Sequence, residues 1–112
     1  MRGKVVLILF PFDDLSSNKV RPAYCLTGAM GTYQHIIFAL ITSRIPEIPL
    51  NTDIILQPNQ PDFINAGLRQ ASTLRLDHLV TLRRSRIQRE LGSLTSETQS
   101  LITDILCRLL RE

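Results

Sequence analysis

The chain has 112 residues, 44% of them hydrophobic and 21% charged. That size and balance fit one domain with its own core, 1–112, and exclude a disordered chain. The net charge is only +3, and no apolar run reaches the ~20 residues that span a bilayer. The basic N-terminus lacks a long apolar segment followed by a small-residue cleavage site, so a cytoplasmic protein with no membrane role is expected.

Val5 to Phe10 is apolar without alternation and reads as a strand buried on both faces. A polar stretch follows and ends in Lys19-Val20-Arg21-Pro22. Pro22 cannot donate to a sheet ladder, which suits the start of a second strand over Ala23 to Thr27. Gly28 to Thr32 is a turn, and "HIIFALITS", His35 to Ser43, is the third strand. Pro46 and Pro49 make Arg44 to Thr52 a loop before a short strand, Asp53 to Leu56. The two prolines of Gln57 to Phe63 predict a surface connection, and Gly67 is expected in a backbone conformation that other residues avoid. Ala71 to Asp77 and Leu79 to Leu82 read as further strands, with Ile87 to Arg89 as one more candidate and Gly92 as the break before the last element.

The period then changes. Leu101, Ile105 and Leu109 form one i, i+4 row and Ile102, Leu106 and Leu110 the next, as in a helix with one apolar stripe. Thr95 or Ser96 can cap it, and Glu97 suits its positive first turn. Five to seven short strands and one terminal amphipathic helix predict a mostly β fold, a small barrel-like sheet with a helix packed on it.

Little in the residue pattern points to metal or nucleophilic catalysis. No HExxH, CxxC, GxSxG or phosphate-binding glycine loop is present, and His35 and His78 lie on separate strands. Cys25 and Cys107 are too few for a disulfide framework and read as reduced core or near-core residues. Eleven of the thirteen cations are arginine, the planar donor that matches phosphate. That composition is compatible with nucleic acid, although an arginine-rich codon preference gives it equally well. Polar residues gather at strand ends: Arg21 before the second strand, Thr42 and Ser43 closing the third. Arg75 and Asp77 share a face of a later strand, because i and i+2 point the same way. From spacing alone the blander readings, a surface ion pair and ordinary strand ends, are preferred.

The whole order is more informative than any piece. "GKVVLILFPFDDLSSNKVRPAYCL", then "ALITS", "DIIL", "AGLRQASTLRLDHLVTL", "RELGSL" and the helix resemble the PemK/MazF toxins from Gly3 to Leu110. K-x-R-P, I-T-S, A-G-L-x-x-x-S and x-x-G-x-L recur in that order, and the R-x-D of the late strand is closer to the PemK-like branch. The resemblance implies an SH3-like β-barrel of the CcdB/PemK type with a C-terminal amphipathic helix, and a homodimer. It implies the toxin of a type II toxin–antitoxin pair, a metal-independent endoribonuclease without cofactor. Such a toxin cuts single-stranded RNA to 2′,3′-cyclic phosphate and 5′-hydroxyl ends, and a cognate antitoxin covers the RNA groove with a disordered acidic C-terminal segment.

By the same resemblance, Arg21, Thr42, Arg75 and Asp77 are the expected catalytic residues. Phe12, Asp13, Ser16, Ser17, Asn18 and Lys19, with Ser43 and His78, are the expected RNA contacts. Lys4 stands where the family usually has Asp, and His78 and Val80 where many members carry Gln and Arg, so the cleavage sequence is left open. Arginine, with a pKa above ~12, suits stabilising a crowded phosphorane better than proton transfer, which leaves Asp77 as the preferred base. Since adjacent strand residues face opposite ways, Asp77 and His78 are not expected at one site together. The competing readings are a non-catalytic CcdB-like gyrase inhibitor and an inactive binding module on the same barrel.

Overall fold

The computed structural model describes residues 1–10 and 19–112. Six strands form one antiparallel sheet in the order β4-β5-β3-β2-β1-β6: β1 (Lys4–Leu9), β2 (Val20–Cys25), β3 (His35–Thr42), β4 (Asp53–Leu56), β5 (Ser72–Arg83) and β6 (Ile87–Ser93). The helices are α1 (Pro61–Ala66) and α2 (Ser96–Arg111), with a 3-10 turn over Arg84–Arg86. The fold class is the one expected, mostly β with a terminal helix, although the ladder ends at β4 and β6 and the sheet is therefore open.

Period-2 alternation gives the sheet two buried faces. Val5, Tyr24, Ala39, Ile41, Leu74 and Leu76 pack on one side with Leu94 and Ile102 of the C-terminal segment. Val6, Ile8, Ala23, Cys25, Ile36 and Phe38 fill the other, joined by Val80, Leu82 and Ile87. Burial on both sides explains why β1 reads as an unbroken apolar run. Deletion of any one of these large side chains leaves a cavity costing about 2–5 kcal/mol.

Helix α2 begins where Thr95 Oγ1 accepts the N–H of Thr98 at 3.3 Å, and Glu97 lies in its first turn, both as expected. Asp62 of α1 ties the two helices together: its Oδ1 accepts from Thr95 N at 2.8 Å and its Oδ2 from the Thr98 hydroxyl. Of the two apolar rows, Ile102 is buried and Ile105 and Leu106 pack on the core, while Leu101 and Leu110 are exposed. Cys25 is buried as expected, but Cys107 is exposed, one position past the row that faces the sheet.

Several sequence expectations change. The second strand runs Val20–Cys25 and not Ala23 to Thr27, so Arg21 and Pro22 lie inside it, paired with Ile8 and Leu7. The Gln57 to Phe63 connection contains the start of α1, whose Pro61 occupies a first-turn position that has no intrahelical N–H bond to lose. The segments Ala71 to Asp77 and Leu79 to Leu82 are one twelve-residue strand with an irregularity inside it. Gly92 does not separate strands from helix but lies within β6, opposite Val5. A Cβ there would come 1.9 Å from the Asn65 carbonyl oxygen, so only glycine lets α1 approach β6. Gly67 caps α1 in the left-handed conformation expected of it, φ 72°, and its own Cβ position would meet Leu91 O at 2.4 Å.

Candidate active site

Strand register assembles the first group. Ala23 pairs with Leu40 and Thr42 with Thr73, so the β2–β3 register carried two residues further sets Arg21 beside Thr42. The same alternation puts Arg21, Thr42 and Thr73 on one side of the sheet, with Leu40, Arg75 and Asp53 in the next row. The end of β3 is fixed through Arg44: Thr42 Oγ1 accepts from Arg44 N at 3.2 Å, and the buried Thr73 hydroxyl donates to Arg44 O at 2.8 Å. An oxygen that already accepts from the backbone leaves the Thr42 hydroxyl proton to donate outward.

Arg21, Thr42 and Ser43 together line a cleft of about 430 Å³, with Arg69 and Gln70 from the loop after α1, Ser72 of β5 and Arg89 of β6. Its described lining holds three arginines and no carboxylate. Arg69 and Arg89 were not singled out from the sequence. Arg69 was legible only as an unspecified x of A-G-L-x-x-x-S, and its placement depends on the Gly67 and Gly92 contacts that press α1 against β6. Arg89 reaches the cleft because it pairs with Leu7, which pairs in turn with Pro22.

The second group sits on β5. Arg75 donates from Nε to Asp77 Oδ1 at 3.3 Å and from Nη2 to Asp77 Oδ2 at 3.2 Å. Its Nε also lies 3.1 Å from Oδ1 of Asp53, whose side chain is only 2% exposed. The contact is a close charge pair at that buried oxygen. The other Asp53 oxygen accepts from Leu50 N at 2.9 Å. The Asp77 hydrogen bond, with the charges of Asp77 and Asp53 behind it, pushes the Arg75 pKa up from an already high value.

His78 corrects a sequence expectation. Its Nε2 lies 3.2 Å from Arg75 Nη2 and 3.7 Å from Asp77 Oδ2, so Asp77 and His78 do meet. The reason is the irregularity: Leu40 pairs with Arg75 but Ala39 with Leu79, which leaves Leu76, Asp77 and His78 without partners on β3. Across such a bulge the strict alternation of faces fails. Leu76 N instead donates to Thr52 O at 3.0 Å, which pins the bulge to the β4 side. A guanidinium can only donate, so in this contact the imidazole nitrogen stands on the accepting side.

Of the remaining expected RNA contacts, Lys19 is exposed just ahead of β2, and its carbonyl accepts from Phe10 N at 3.3 Å. Phe12, Asp13, Ser16, Ser17 and Asn18 lie outside the described residues. Cys25, buried, has its thiol pushed up to about 11 by desolvation, which suits a packing role and not a nucleophile. Among the described residues no group of three or more His, Cys, Asp or Glu side chains is placed to hold a metal ion.

One small sheet thus carries a cleft lined by arginines and a bulge that joins an arginine, a carboxylate and an imidazole. Comparison with known proteins places it: residues 1–110 match the PemK-like, MazF-like toxins of type II toxin–antitoxin systems, and the chain belongs to that family. Solved structures share its fold. The Mycobacterium tuberculosis toxin MazF-mt6 is 19% identical with a TM-score of 0.72, covering 96% of each chain. An endoribonuclease from Mycobacterial species is 19% identical, TM-score 0.68, over 98% of this chain and 89% of its own. An endoribonuclease in complex with its cognate antitoxin, also Mycobacterial, is 19% identical, TM-score 0.65, over 98% and 93%. No curated protein matches the sequence.

Proposed function

We propose that this chain, as a single toxin domain in the cytoplasm, is a metal-independent endoribonuclease that cuts single-stranded RNA. The observation that carries the reading is the cleft where Arg21, Thr42 and Ser43 meet Arg69 and Arg89, in a chain of this toxin family. The forked donors of three arginines lining one cleft favour a phosphodiester. The solved endoribonucleases of the same fold point the same way.

In the reaction the 2′-oxygen bonds to phosphorus and loses its proton to a base. The P–O5′ bond breaks, and O5′ takes up a proton. The products are a 2′,3′-cyclic phosphate and a 5′-hydroxyl. Arg21 stabilises the charge that builds on the phosphorane oxygens, a contribution worth ~10²–10³ in rate for one well-placed donor. Thr42 donates its free proton to a phosphate oxygen. Asp77 is the base: each of its oxygens keeps a lone pair beyond the one given to Arg75. Arg75 holds Asp77 through Nε and Nη2, and since none of these contacts uses Nη1, that edge can meet the substrate. The chain acts as a homodimer and is neutralised by a cognate antitoxin whose acidic, disordered tail offers carboxylates to the same arginines.

RNA carrying a single 2′-deoxynucleotide at the cut position tests the chemistry. The reading predicts that this one substitution abolishes cleavage there while binding persists. Undiminished cutting at the deoxy position would mean the nucleophile is not the 2′-hydroxyl.

A further inference from the structure

Two turns far apart in sequence meet at one corner of the sheet. Between β2 and β3, Gln34 adopts the left-handed conformation, φ 56°, and its carbonyl accepts the N–H of Arg84 at 2.8 Å. That bond locks the β2–β3 turn to the β5–β6 turn, reinforced by the pairing of His35 with Arg83. The first turn contributes Tyr33, 61% exposed. The second contributes Arg83, Arg84 and Arg86, all exposed.

The charge at this corner is one-sided. From His78 to Arg89 the sequence has no acidic residue, and the carboxylate of Glu90 is already paired with Lys4 at 3.0 Å. Among the described residues none of the three arginines is in an ion pair; Arg83 instead lies over the Tyr33 ring, 4.7 Å from its centroid. The His35 ring, 6.2 Å from that of Tyr33 and tilted by 60°, does not stack on it. An exposed aromatic backed by a guanidinium, among unpaired arginines, is the combination that single-stranded nucleic acid uses: phosphates meet the cations and a base stacks on the ring.

The corner is not part of the cleft's lining, but the chain that leaves it along β6 runs toward the cleft. Ile87, next after Arg86, pairs with Ile8, and Ile8 pairs with Arg21. Two strand spacings, about 10 Å, therefore separate the backbones at Ile87 and Arg21.

We infer that Arg83, Arg84, Arg86 and Tyr33 form an accessory site for single-stranded RNA flanking the cut position, the arginines taking phosphates and Tyr33 stacking a base. The inference rests on the ribonuclease reading for its ligand, so its test reads binding separately from cleavage. The protein is titrated into fluorescently labelled RNA made uncleavable by 2′-O-methyl groups, over a range of salt concentrations. The variants are the triple Arg83→Gln/Arg84→Gln/Arg86→Gln, Tyr33→Ala and Tyr33→Phe. Each lost phosphate contact reduces the slope of log K against log salt by about 0.7, so the triple variant loses about 2 from the wild-type slope.

Tyr33→Ala weakens binding about tenfold and Tyr33→Phe restores it. An RNA just long enough to fill the cleft is cut by the triple variant at the wild-type rate, which also shows that the fold is intact, whereas a long RNA is cut with reduced kcat/KM. A triple variant with the wild-type salt slope overturns the proposal. So does one that keeps RNA binding but loses binding of an acid-rich peptide, since the corner would then read a protein. If wild type binds long RNA through these residues but cuts none, the accessory site stands and the ribonuclease reading falls.

Discussion

The cleft and the β5 bulge hold arginine in opposite ways. In the cleft, Arg21, Arg69 and Arg89 surround a cavity whose described lining has no carboxylate. On the bulge, one arginine is held between two carboxylates and an imidazole, with Nε and Nη2 both engaged. Arginines gathered around one cleft suit an incoming phosphate, whose oxygens match their forked donors. On the bulge the guanidinium is spent on orientation, and the groups it orients, Asp77 and His78, are the ones able to accept a proton. In the proposed reaction, phosphate stabilisation falls to the cleft and proton transfer to the bulge.

The comparison can be broken from either side. Arg21→Ala removes the cleft's central donor, and kcat/KM for RNA is expected to fall by about 10³-fold with the melting temperature little changed. Loss of folding instead would make Arg21 a structural residue. Gly92→Ala attacks the framework: the new Cβ meets the Asn65 carbonyl, α1 must move off β6, and stability falls by about 3 kcal/mol or more in chemical denaturation. Because α1 leads into Arg69, activity measured well below the melting point should drop as well.

Asp77→Asn keeps the size of the bulge cluster but removes the base. A loss of about 10²-fold in kcat, with RNA binding to uncleavable substrate retained, is expected. An equal loss of binding would instead place Asp77 in phosphate or base recognition.

The last effect is one of pH and lies outside both regions. The Cys25 pKa is raised to about 11 by burial, above its ordinary 9.0, and Tyr24 is raised by the same cause. Both groups favour the protonated form in the folded state. Their contribution to stability is complete below about pH 9 and is lost as pH rises toward 11, by up to about 3 kcal/mol for the thiol. A denaturation series between pH 8 and 11 should show that decline, and Cys25→Ser should lessen it, leaving the Tyr24 part. Over the same range Cys107, exposed, should alkylate in the native protein while Cys25 does not.

Little of the site was legible from spacing, and none of it where period-2 alternation stops. Arg21, Thr42 and Ser43 stand out in the sequence only as polar residues at strand ends, and it is the family resemblance, not their spacing, that singles them out. His78 could not be set beside Asp77, since a bulge shifts which residues share a side and leaves no signature in "RLDHLV". Arg69 and Arg89 were hidden for another reason: their meeting depends on backbone approaches at Gly67 and Gly92, contacts between residues far apart in the chain. Helix α1 was missed because Pro61 and Pro58 look alike in a loop, and only the cap at Gly67 tells a first-turn proline from a turn proline.

The central claim is that this cleft stabilises a cyclising phosphate with no metal ion. The most direct measurement is incubation of mixed-sequence single-stranded RNA with wild type and Arg21→Ala in EDTA, followed by analysis of the new ends. The account predicts that wild type produces 2′,3′-cyclic phosphate and 5′-hydroxyl ends at a short preferred sequence and that Arg21→Ala produces none. Cleavage that EDTA abolishes, 5′-phosphate ends, or an equally active Arg21→Ala would contradict it.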